Sequence, residues 1–273
     1  MVIPGLLGFQ KAPGVSALLP LDFDPNPFTA WSFARALKTG SDPSLFRARR
    51  TPDNGVYDVG VLSGEIDVAS YLSFLDGGTG FAEIPYDQGP NGNNGVQAVG
   101  GLQSEVVSNA VGSKYGVDAD GDSYYLIPDI PSGNQFSVYV AINHADLGTT
   151  PGYLVATNAF STIISQSSPN TDDTYAIYDG VGWKDVAPSS NLTDIVLCYV
   201  WDNTSLSLYK NGVLASTITT SSPSFDTQTS IFSYVTGASR CNAKVSELLI
   251  YESAHDTSTL EGICGSMVGF YVA

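Results

Sequence analysis

Leu206-Ser-Leu-Tyr209-Lys210-Asn211-Gly212-Val213 runs as a strand and breaks at an Asn-Gly pair. Asn-Gly occupies both left-handed positions of a type I′ turn with little strain, so the stretch reads as a tight β-hairpin returning through residues 213–219. Outward from it, residues 194–201 form the preceding strand. Phe136-Ser-Val-Tyr-Val-Ala-Ile-Asn143 alternates with period two, and segments 153–157, 162–165 and 174–178 follow at short intervals. Segments 231–235 and 245–251 complete the series. Many short strands separated by turn residues point to an antiparallel sandwich or jelly roll. One helix closes the chain: Asp256 or Ser258 caps it, Glu261 completes a Ser-x-x-Glu box, and Leu260, Ile263, Met267 and Val268 face inward.

The N-terminal third is more mixed. Thr29 is placed to cap a short helix through Leu37, with Trp31, Ala34 and Leu37 on one side. Residues 44–50 and 56–61 read as two strands joined by Thr51-Pro52-Asp53-Asn54-Gly55, which has hairpin-turn chemistry. Asp67 caps an amphipathic helix carrying Val68, Tyr71, Leu72 and Leu75, with Gly77 as its stop. A strand over 81–86 then feeds Tyr86-Asp87-Gln88-Gly89-Pro90-Asn91-Gly92-Asn93-Asn94, whose breakers extend neither helix nor strand. Residues 1–27, with prolines at 4, 13, 20 and 25, form an extended arm, packed along its own domain or docked on a neighbouring subunit. The expected organisation is that arm plus one domain, 28–273, made of an N-terminal block (28–95) and a sandwich core (96–273).

Bulk composition narrows the partners. Of 273 residues, 43% are hydrophobic and 14% charged, which suits a chain with a core. With 11 basic against 27 acidic residues the net charge is −16, a poor footprint for nucleic acid. No apolar run reaches membrane-spanning length, and the apolar N-terminus lacks the basic region of a signal peptide. Cys198, Cys241 and Cys264 are odd in number and widely spaced, which reads as free thiols in a protein made in a cytoplasm.

The 206–213 hairpin, followed by Val245-Ser-Glu247-Leu-Leu-Ile-Tyr251, resembles the late strands of concanavalin A-like (laminin-G and pentraxin type) domains. Asp118-Ala-Asp120-Gly-Asp122-Ser-Tyr-Tyr125 is similar to an early turn and strand of such domains. Phe33-Ala-Arg35-Ala-Leu37, Phe46-Arg-Ala-Arg49-Arg50, the helix from Asp67 and the turn containing Tyr86, Asp87, Gln88 and Asn91 resemble the start of family-54 arabinofuranosidases. The same block is similar to arabinofuranosidase-like domains of tailed-bacteriophage structural proteins. The resemblance implies a mainly β, concanavalin A-like jelly-roll sandwich with two short N-terminal helices, a C-terminal helix and the arm. It further implies a virion protein, either a head decoration or fibre or a tail or baseplate component. Such a protein would meet other virion proteins through the arm and assemble as a homo-oligomer, a trimer first.

Candidate chemistry is sparse. Trp183, Asp179, Tyr178 and Tyr175 form the most sugar-like group, since aromatic faces stack on pyranose C–H surfaces while acids bond hydroxyls. The bland alternative places these aromatics at an edge or interface. Asp87 is read as a ligand contact or, preferably, as a carboxylate bonding backbone donors of its own turn. Asp118, Asp120 and Asp122 have calcium-like spacing but no downstream bidentate glutamate, so a solvated turn is preferred and Ca²⁺ is the weaker alternative. His144 and His255 lack a nucleophile elbow. The stretch 235–243 carries no carboxylate where the resemblance would put a catalytic acid, so the expectation is a virion structural protein, with binding of host or environmental glycans as an extension, and not a hydrolase. An arabinofuranosidase-type hydrolase and a free lectin are the alternatives.

Overall fold

The computed structural model describes residues 18–130, 135–144, 152–157, 163–165, 174–179, 181–188, 194–220, 229–233 and 241–272. The N-terminal block contains α1 (Pro20–Phe23), β1 (Thr29–Ser32), β2 (Phe46–Arg50), β3 (Val56–Val59), β4 (Val61–Leu62), β5 (Glu65–Ile66), α2 (Val68–Leu75) and β6 (Gly80–Pro85). Next come β7 (Glu105–Val111), β8 (Lys114–Asp120), β9 (Tyr125–Ile127), β10 (Phe136–Asn143), β11 (Tyr153–Thr157), β12 (Ile163–Ser165), β13 (Thr174–Tyr178) and β14 (Trp183–Pro188). The series ends with β15 (Asp194–Trp201), β16 (Ser205–Lys210), β17 (Val213–Thr219), β18 (Thr229–Ile231), β19 (Asn242–Tyr251) and α3 (Thr257–Tyr271).

Two antiparallel sheets face each other, as the turn-separated strands require. The larger runs β17-β16-β15-β10-β19-β8-β7-β6-β2-β3, with β1 added on β19; the smaller runs β14-β13-β12-β11-β18-β9. Between them lies a core that includes Phe136, Val138, Val140, Leu197, Tyr199, Trp201, Leu248 and Ile250. A second apolar layer covers the other face of the large sheet, where Tyr139, Ala141, Val196, Cys198, Leu249 and Tyr251 meet Leu260, Ile263, Cys264 and Met267 of α3. The period-two pattern of Phe136–Asn143 therefore does not mean one wet face: all but Asn143 are buried because α3 roofs the outer side. Each fully buried side chain on α3 contributes about 1.5–3 kcal/mol before entropy is subtracted.

Several expectations need correction. The helix expected over 29–37 is absent; Thr29–Ser32 is a strand paired with Ile250–Glu247 of β19. β19 pairs β8 only up to Val245, so its second half has a free edge that β1 fills. Trp31 then enters the sandwich core and Ala30 the helix-side layer, a strand alternation that overrides the helix-like 31/34/37 spacing. The two N-terminal helices are instead α1 and α2. Asp67 does cap α2, accepting from Ser70 N at 3.1 Å, but Leu72 points outward and is 53% exposed. Gly77, the expected stop of α2, does follow its C-cap Asp76, and both are left-handed, at φ 81° and 47°. On α3 the cap is Asp256, which accepts from Thr259 N at 2.8 Å, so Ser258 lies inside the helix and no Ser-x-x-Glu box forms. Residues 18–27 pack on their own domain, with Leu21 buried and the Phe23 ring against Gly262. Residues 1–17, which carry the proposed anchoring contacts, lie outside the described residues.

Candidate functional site

The turn after β6 is a hydrogen-bonding hub for β1. Asp87 Oδ1 accepts from Ala30 N (2.8 Å) and Gly89 N (2.9 Å), and its Oδ2 accepts from Asn93 N (2.9 Å). Gln88 Oε1 accepts from Leu37 N at 2.8 Å, and Asn91 Nδ2 donates to Pro27 O at 2.8 Å. Tyr86 turns the other way, donating to Asp58 Oδ1 at 2.6 Å; burial and that carboxylate push its hydroxyl up to about 12. A Cβ on Gly89 would lie 2.7 Å from the Pro27 ring, so the approach of the two segments needs glycine there. Both carboxylate oxygens of Asp87 and its amide, which donates to Asn94 Oδ1 at 2.8 Å, are spent inside the fold. The motif is a corner that clamps the N-terminal strand, in line with the turn reading of Asp87.

The four residues grouped as sugar-like are only partly brought together. Tyr175 is wholly buried in the sandwich core. Asp179 is 1% exposed, and its Oδ1 accepts from Val181 N (3.1 Å) and Gly182 N (3.0 Å), closing the β13–β14 turn. Neither is presented to a ligand. Tyr178 and Trp183 are cross-strand partners, half-buried on the outer face of the small sheet, with ring centroids 5.6 Å apart in edge geometry. Tyr153, two strands beyond Tyr178 on β11, stacks on Trp183 at 5.7 Å and 29°. Tyr153 is buried with Ala156, and Tyr178 and Trp183 pack half-buried against them, so the three rings form one aromatic block. Asp185 is two positions from Trp183 along β14, opposite Ala176, and is exposed. Tyr153 and Asp185 are not marked in the sequence; the period-two relation of Asp185 to Trp183 was the available signal.

The acidic triplet resolves into ordinary strand-end chemistry. Asp118 faces Lys244 across β8–β19, and burial raises its carboxyl against that lysine's pull. Asp120 Oδ1 accepts from Asp122 N (3.1 Å) and Ser123 Oγ (3.3 Å) around Gly121. Among the described residues no three His, Cys, Asp or Glu side chains are grouped to hold a metal ion. A 360 Å³ cleft lies between residues 38–42, residues 63–65 and Phe270, with Arg35 at its floor. Arg35 is committed elsewhere: it forms a two-pronged ion pair with buried Glu247 (2.9 and 3.1 Å), which also accepts from Tyr271 OH at 2.7 Å.

No family model and no curated protein match the sequence. Solved structures do. An arabinofuranosidase complexed with arabinofuranosyl-α-1,2-xylobiose is similar over 93% of this chain with a TM-score of 0.77 at 15% identity. A GH54 α-L-arabinofuranosidase soaked with a cyclic sulfate inhibitor gives 0.75 over the same share, also at 15% identity and covering 66% of that chain. The binding domain of Paraclostridial mosquitocidal protein 1 gives 0.50 over 67% of this chain and 49% of its own, at 12% identity. At these identities the likeness establishes the fold, an arabinofuranosidase-like β-sandwich. The chain spans 65% of the length of the first of these enzymes.

Proposed function

We propose that this protein binds carbohydrate on the outer face of its small sheet. The observation that carries the reading is the aromatic block in which Tyr178 and Trp183 are half-buried and Tyr153 backs them from a buried position; the two part-exposed rings offer the apolar surface that sugar C–H faces stack on. Asp185 supplies a hydroxyl acceptor on the same face. The fold it shares with enzymes that act on arabinofuranosides supports arabinofuranosyl-bearing oligosaccharides as the first ligands to test. Calorimetric titration with an arabinoxylan oligosaccharide should show saturable binding, weakened at least tenfold in Trp183→Ala, or about 1.4 kcal/mol. Equal binding by Trp183→Ala would move the site elsewhere.

A second reading, hydrolysis, is favoured by the fold alone. Retaining glycosidases hold two carboxyl groups about 5 Å apart. Near the aromatic block, Asp179 is buried and engaged by its own turn, and Asp185 is an exposed carboxylate on β14. Release of free arabinose that disappears in Asp185→Asn would establish catalysis over simple binding.

We place the binding face on a bacteriophage particle, on the resemblance of residues 28–95 to arabinofuranosidase-like domains of virion proteins. Mass spectrometry of purified virions tests this, and absence of the chain from particles would overturn it.

A further inference from the structure

We propose that residues 18–39 are exchangeable between two copies of this chain, each copy's groove holding the other's segment in a two-fold dimer. The groove is built for that segment. On one side β1 pairs with β19, from Thr29↔Ile250 to Ser32↔Glu247. Phe28 N to Ile250 O (2.7 Å) and Phe33 N to Ser246 O (2.9 Å) extend the ladder. On the other side Ala30 N donates to Asp87 Oδ1 and Ala30 O accepts from Gln88 N, both at 2.8 Å. Farther along, Arg35 reaches buried Glu247, and Leu37 N donates to Gln88 Oε1 at 2.8 Å. Trp31, Phe33 and Leu37 are buried by this seating. A segment that left the groove would expose those side chains and strip the edge of β19, which drives recapture of a segment of the same sequence.

The hinge makes the donor interchangeable. Residues 40–44 join the segment to the rest of the domain, and Gly40, Asp42 and Ser44 are exposed. Among the described residues the hinge's hydrogen bonds stay in its own turn, Ser41 N and Oγ both donating to Lys38 O (3.3 and 2.7 Å). The bonds that fold the segment on itself, Leu21 N to Leu37 O (2.9 Å) and Thr39 N to Asp22 Oδ1 (3.2 Å), travel with it. Straightening the hinge therefore opens one turn and breaks no hydrogen bond to the domain. Its five residues then span about 17 Å, and every contact between segment and groove is repeated in the second copy. Within one chain the short hinge gives the segment an effective concentration of order millimolar, which favours the closed monomer. Gly40 helps to set that balance, because at φ 74° it holds the turn in the left-handed region, where a β-branched residue is strained.

The test uses two full-length chains with reversed charges, Arg35→Glu and Glu247→Arg. Alone, each puts like charges together in a buried site, whichever copy supplies the segment. Denatured, mixed and refolded together, the two restore opposite-charge pairs only by exchanging segments. The expected product is a mixed dimer containing one of each chain, seen by native mass spectrometry at twice the mass of one chain. Its Tm should exceed that of either variant refolded alone. A refolded mixture that lacks the mixed dimer overturns the proposal, as does a mixed dimer no more stable than its parts. Should the mixture precipitate, Gly40→Val decides: exchange predicts at least about tenfold more dimer than wild type at equal concentration. Gly101→Val, with open space around the glycine, is its control. A Gly40→Val chain as monomeric as that control overturns the proposal.

Discussion

Asp87 shows how one side chain settles the role of a conspicuous motif. Its two oxygens take three backbone N–H groups, two within its own turn (Gly89 and Asn93) and one, Ala30, on β1. Truncation would strand these donors. Asp87→Ala is expected to cost about 2–4 kcal/mol, seen as a lower urea midpoint at unchanged slope. A loss below about 0.5 kcal/mol would show that the clamp does not hold β1. The turn residues were legible in sequence as breakers, and Asp87 as a carboxylate suited to its own turn. Its acceptance from Ala30 N, 57 positions away, was not legible, because nothing local encodes a bond across that separation.

At the scale of elements, the contact between β8 and β19 joins the N-terminal half of the large sheet to its centre. Gly116 on β8 makes it possible: a Cβ there would sit 2.5 Å from Val245 O and 2.6 Å from the Ala110 Cβ. The obstacle is backbone, which cannot yield as a flexible side chain does. Gly116→Ala should therefore cost about 2–3 kcal/mol and lower Tm by roughly 5–10 °C. Gly101→Ala, with open space around the glycine, is the control and should leave Tm nearly unchanged. Parity between the two variants would refute the close-approach argument. Element type was readable where local signals agreed: the Asn211-Gly212 hairpin, the Asp67 cap and the closing helix are all present. It failed at Thr29–Ser32, where the free edge of β19 outweighs helical spacing.

Across the whole molecule, His255 ties three layers together. Its Nδ1 shares a hydrogen bond with Tyr139 OH on the large sheet (2.7 Å), and its Nε2 meets Asp24 beyond α1 (3.2 Å) just before α3 begins. Burial lowers its pKa, while Asp24 and Asp256 pull the other way without prevailing. The unfolded chain then binds a proton more readily than the folded one, so stability rises with pH through this window. It is full above the ordinary histidine value of about 6.5 and declines as pH falls below it toward the folded value. Urea midpoints measured from pH 7.5 to 5 should fall, and His255→Gln should flatten that fall. An unchanged slope in the variant would assign the dependence to other groups.

By itself the sequence determined the class of this protein: strand-length apolar segments, turn residues between them and a capped final helix leave little besides an antiparallel sandwich. It also marked Tyr178 and Trp183, because aromatics flanking a short turn are visible locally. Only the tertiary structure decided that Tyr175 belongs to the core, that Asp179 closes its own turn, and that Tyr153 completes the aromatic block. The reason is geometric. Local pattern fixes which residues share a strand face, but whether that face meets a sheet, a helix or solvent depends on partners distant in sequence. The roof of α3 over β10, β15 and β19 follows from such partners.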